Sequence, residues 1–75
     1  MSGPTRMAEA AIFEAEEHVA TLSRLLEVLS IALSNAARAQ DVRLVSKLDA
    51  EITYYVKQLA AARARRESLH QQHGG

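Results

Sequence analysis

The chain has 75 residues, 48% hydrophobic but only 4% aromatic, with no Trp and no Cys. That length holds one small unit without a separate catalytic domain, and the lack of Cys excludes a disulfide framework and thiolate metal ligation and fits a reducing, cytoplasmic setting. Nine basic and nine acidic side chains cancel, which argues against attraction to nucleic acid or acidic membranes by charge alone.

Residues 1–7 carry Gly3 and Pro4 and no apolar run, so they read as a flexible lead, neither signal peptide nor anchor. From there to the C-terminal tail no Gly or Pro interrupts the chain, and apolar residues recur in alternating steps of three and four, the periodicity of a helix seam. The first series is Ile12, Ala15, Val19, Leu22, Leu26, Leu29 and Leu33. It lapses over Ser34–Asp41, where Asp41 is placed to cap a helix beginning near Val42. The second series is Val45, Leu48, Ile52, Tyr55, Leu59, Ala62, then Arg66 and Leu69. Residues 71–75 are polar, end in two glycines and read as a fraying tail.

These elements predict an all-α fold, an antiparallel two-helix hairpin of coiled-coil type, with a helix over about 8–37, a turn over 38–41 and a helix over about 42–70. The rival is one uninterrupted helix that pairs between chains. A turn near residue 39 would bring together residues whose numbers sum to about 78: Leu33 with Val45, Leu29 with Leu48, Leu26 with Ile52, Leu22 with Tyr55 and Val19 with Leu59. Ala15 with Ala62 would form a layer of close approach, and Ile12 would meet the stem of Arg66. Charge supports the hairpin, because residues 1–37 hold two Arg and five Glu, net −3, while 38–75 hold seven basic and four acidic residues, net +3. In that register Glu14, Glu16 and Glu17 fall beside Arg63, Arg65 and Arg66, near the favourable ends of the helix dipoles.

Two helices leave half of each seam open, and a chain of this size seldom obtains more than ~3 to 5 kcal/mol from its own core. Completion by oligomerisation or by a partner is therefore expected. Leu25, Val28 and Ala32 extend the first seam around one flank, Ile31 and Phe13 lie farther round, and Val42 and Val56 flank the second seam. Leu25, Val28, Ile31, Ala32 and Val56 are the candidate partner-binding residues. The occupant is another helical protein or a second copy, the latter giving a four-helix bundle.

No enzyme chemistry, cofactor or metal is expected. Glu14, Glu16, Glu17 and His18 are dense in acid, but the Glu/His spacing of a di-iron bundle is absent and position 15 is Ala. His70 and His73 are three apart with no third ligand nearby. The serines at 23, 30, 34, 46 and 68 have no nucleophile-elbow glycines or His/Asp partners around them, and all three Gly lie at the termini, so there is no phosphate loop.

Arg63, Arg65 and Arg66, with Arg38, Arg43 and Lys47 near the turn, raise RNA as an alternative. Cancellation by Glu14–Glu17 and the scarcity of stacking aromatics beyond Tyr54 and Tyr55 argue against it. The most apolar stretch, Leu22–Leu33, contains Ser23, Arg24, Glu27 and Ser30 and is shorter than the ~20 residues of a span, so no membrane span is expected.

A short pair of Ala/Leu-rich helices joined by a polar turn, with an apolar surplus, resembles the small E-type co-chaperones of type III secretion needle subunits. The likeness covers about residues 16–62. It rests on Thr21-Leu22-Ser23-Arg24-Leu25-Leu26, the Arg38–Asp41 turn and the Leu48–Tyr55 segment, while the Arg-rich extension after Ala62 and the Gly-Pro lead depart from it. The resemblance implies a hairpin that binds a tetratricopeptide-repeat partner and helps keep the needle subunit from polymerising in the cytoplasm, with Leu25, Val28 and Ile31 at the partner contact. Small phage structural or assembly proteins have a similar make-up, which leaves a homodimeric four-helix bundle as the alternative.

Overall fold

In the computed structural model, which describes residues 3–73, α1 runs over Gly3–Arg38 and α2 over Val42–His73, packed against each other as a hairpin. The uninterrupted single helix is thereby ruled out. Both helices are longer than the sequence predicts: residues 3–7 of the expected lead and 71–73 of the expected tail are helical. Pro4 is compatible with this because it falls in the first turn, where a backbone N–H has no intrahelical acceptor. Met1, Ser2, Gly74 and Gly75 lie outside the described residues.

The chain reverses within three residues, and hydrogen bonds show how. Asp41 N–H donates to the Ala36 carbonyl at 3.0 Å and Gln40 N–H to the Ala37 carbonyl at 3.1 Å. This is the Schellman pairing that closes a helix C-terminus, and it requires a left-handed residue at Gln40, whose φ is 58°. Glycine is the usual occupant; here a glutamine takes the conformation, at a cost of roughly 1 kcal/mol. The next residue starts α2. Asp41 Oδ1 accepts from Leu44 N–H at 3.2 Å and the Asp41 carbonyl accepts from Val45 N–H at 2.9 Å, the geometry of an N-cap.

Because the turn centres on Gln40 rather than residue 39, residues whose numbers sum to about 80 come level. The seam positions nearest that sum are Ala36 with Val45, Leu33 with Leu48, Leu29 with Ile52, Leu26 with Tyr55, Leu22 with Leu59 and Val19 with Ala62. The turn thus moves the expected sum of about 78 by about two residues. The packed cluster holds Val19, Leu22, Leu59 and Ala62, with Leu26 and Tyr55 against it. Ala36 also corrects the expected lapse after Leu33, since it is 4% exposed and continues the three-four stepping.

All ten expected core residues are shielded. Val19, Leu22, Leu48 and Leu59 are buried, and Leu26, Leu29, Leu33, Val45, Ile52 and Tyr55 half-buried. Ala15, Ala36 and Ala62 complete the buried set, and no side chain among the described residues is fully sealed from solvent. The result is a rod of 59 × 14 × 14 Å with a radius of gyration of 17.0 Å, against about 11 Å for a compact domain of this length.

The turn makes a two-way prediction. Gln40→Gly should stabilise the hairpin by about 0.5–1 kcal/mol by relieving the left-handed side chain, and Asp41→Ala should destabilise it by about 1 kcal/mol through the lost cap. Urea unfolding at one fixed chain concentration measures both, and a destabilising Gln40→Gly would contradict the Schellman geometry.

Candidate interaction surface

The rotation of 100° per residue sorts each helix into a seam, two flanks and an outer face. Glu16 and His70 identify one flank: their side chains meet across the helices, Oε2 to Nε2, at 3.5 Å. Ser23 and Ser30 follow Glu16 at intervals of seven on the same side of α1, and Arg63 and Val56 precede His70 likewise on α2. An open groove of about 480 Å³ occupies this flank, with Leu26 and Leu59 in its floor and Ser23, Glu27, Ser30, Ile31 and Arg63 around it.

Leu25 and Ala32 lie across the seam, on the other flank, where both are half-buried. Val28 and Ile31 stand on the outer face of α1, 62% and 64% exposed. The five candidate partner-binding residues therefore do not form one patch. Ile31 borders the groove and with Val28 stands on the exposed side of α1, Val56 shares the groove's flank of α2 without lining it, and Leu25 and Ala32 lie on the opposite flank. What unites four of them is α1 itself. Between Leu25 and Leu33 only Glu27 and Ser30 are polar, so this stretch is apolar around most of its circumference. A helix of that kind is ordinarily enclosed on all sides; here α2 covers one.

The charged end departs from expectation. Glu16 meets His70 rather than an arginine, and among the described residues no Arg–carboxylate pair lies within 4 Å. The register explains the exchange. Residue 65 is level with Glu16, and His70 sits about 7.5 Å farther from the turn, but side chains lean toward the N-terminus of their own helix, so the two tips converge. Nor do Glu14–Glu17 gain from the helix dipole, because α1 begins at Gly3 and the effect fades beyond the first turn. Four arginines, at 6, 63, 65 and 66, stand near five glutamates, at 9, 14, 16, 17 and 67, so this end carries little net charge.

Among the described residues no group of three or more His, Asp or Glu side chains is arranged to hold a metal ion; the side chain of His73 lies outside them. Tyr55 is half-buried in the seam and stacks edge-on against the exposed Tyr54 at 5.1 Å. The structure also enlarges the apolar run of α1. The helix is continuous, with an 18-residue window of mean hydropathy 1.3 that is 17% buried, and so is long and apolar enough to cross a membrane by length and composition. The core helix of a soluble protein passes the same test. Arg24 and Glu27 would each oppose insertion by a few kcal/mol, and the seam side is committed to α2.

Three residues escaped the sequence reading. Ala36 was legible as the next step after Leu33. Arg24 and Glu27 were visible only as interruptions of an apolar stretch, and the structure sets them among Val28 and Ile31 on the exposed face of α1.

The half-exposed Glu16–His70 contact should matter little, so Glu16→Ala or His70→Ala should shift stability by no more than about 0.5 kcal/mol. Leu22→Ala should cost about 2–3 kcal/mol. Denaturant midpoints of the three variants at equal chain concentration check the contrast. No protein-family model matches the chain, and no curated protein or solved structure matches it.

Proposed function

We propose that this chain is a non-enzymatic binding module that works by burying the outer face of α1 against another helical surface. The observation that carries this reading is the stretch Leu25–Leu33, apolar nearly all round yet covered by α2 on one side, with Val28 and Ile31 more than 60% exposed. Contiguous apolar surface of this kind is a mark of interaction sites. A helix in a groove lined by other helices is the mode that fits.

In its finer form the reading is a small cytoplasmic co-chaperone that binds a helical-repeat partner in a secretion-system assembly and shields apolar surface without turnover. The hairpin architecture and the apolar surplus support it. A four-helix bundle of two copies, serving a structural or phage-assembly role, is the alternative, and the mixed signs of charge along the outer face of α1, with Arg24 and Arg38 among Glu14, Glu17 and Glu27, favour it. RNA binding through Arg63, Arg65 and Arg66 is weakened by the five neighbouring glutamates.

The double variant Val28→Glu/Ile31→Glu should keep the helical circular dichroism of the parent chain while losing association. Leu26→Glu, in the seam, should lose helicity. The parent chain should either sediment above monomer mass or, when monomeric, bind an apolar fluorescent dye that the double variant does not bind. A parent chain that is a well-folded monomer without dye binding would overturn the reading.

A further inference from the structure

We propose that the occupant of the outer face of α1 is the same face of a second copy, docked antiparallel about a two-fold axis near residue 26. This deepens the binding-module reading and rests on it. The area available is the first argument. The chain exposes 5771 Å², whereas a compact monomer of its 8.2 kDa mass exposes about 4,500 Å². The surplus of about 1,200 Å² is spread over the whole rod, and the roughly 800 Å² that each partner contributes to a standard interface fits within it.

Charge supplies the second argument and selects the occupant. The outer face of α1 carries Glu14, Glu17, Arg24, Glu27 and Arg38, all exposed. In a two-fold antiparallel pair, residues whose numbers sum to a constant face each other. Arg24 with Glu27 sums to 51 and Arg38 with Glu14 to 52, so one alignment satisfies both pairs, each twice by symmetry. Glu17 then falls opposite Ser34 and Asn35, and no like charges are opposed. A parallel pairing would set each of these charges against its own copy. In the antiparallel alignment Ile31 lies over Ala20 and Thr21 of the second copy and Val28 over the stem of its Arg24, so large side chains meet small or slender ones. The face is self-complementary in charge and shape, as a closed two-fold interface requires.

The test is a charge exchange read by sedimentation equilibrium, with circular dichroism to establish that every variant is folded. The parent chain is expected at dimer mass. Arg24→Glu alone and Glu27→Arg alone should each raise the dimer dissociation constant about tenfold, because two attractive contacts become repulsive. An equimolar mixture of the two variants should recover the parent affinity as a heterodimer, since every reciprocal pair is then opposite in sign. Glu14→Arg with Arg38→Glu provides the same exchange at a second, independent pair. Single variants that dimerise as tightly as the parent, or mixtures no tighter than the singles, overturn the proposal. A parent chain that stays monomeric but binds apolar dye overturns the self-docking alone and leaves the binding reading standing. A monomer without dye binding sinks both.

Discussion

Everything in this rod follows from the reversal at Gln40 and Asp41. The left-handed φ of Gln40 lets two N–H groups close the end of α1, and the following residue opens α2 with its own carboxylate. With Asp41 serving both helices, the turn has no slack, and the level at which each residue of α1 meets α2 is set by it. A turn centred one residue earlier would move the sum of facing residue numbers by about two. The contact of Glu16 with His70 instead of Arg63–Arg66, and the burial of Ala36, are distant consequences of that geometry.

The seam that the turn aligns is sufficient to pair the helices but not to enclose them. Three of the seven buried residues are alanines, which bring the backbones close but bury little area. The large side chains that would normally fill a core, Leu26, Leu29 and Leu33, are only half-buried because each faces one neighbour where a bundle would supply two or three. An occupant covering α1, as proposed, would add the burial that the hairpin lacks and stabilise it with the logarithm of its concentration.

The distribution of residues along the rod divides the work. The half nearer the turn holds most of the exposed apolar side chains, including Val28, Ile31, Val42, Leu44 and Val56, whereas the open end holds the interleaved Glu and Arg. A balanced charge pattern keeps that end solvated without a strong field, so specificity has to come from the order of charges along a face rather than from their sum. Arg24 and Glu27 contribute nothing to net charge, and under the proposed two-fold pairing their order would select one alignment of the two copies.

Helix type and pairing were legible in the sequence, because the three-four stepping of Val19–Leu33 and Val45–Leu59 has one physical solution, a stripe that must be covered by another stripe. The N-cap at Asp41 was legible for the same reason: the carboxylate stands just before a resumed apolar series. The left-handed Gln40 was not, since that conformation is ordinarily announced by glycine and is adopted here only because both helix ends need it. Likewise Val28 read as sharing a flank with Leu25 and Ala32, but the structure leaves it exposed with Ile31 while Leu25 and Ala32 are half-buried. Local periodicity determined the elements by itself; only the tertiary structure decided their level and the faces left uncovered, because register depends on a single backbone torsion that side-chain pattern does not encode.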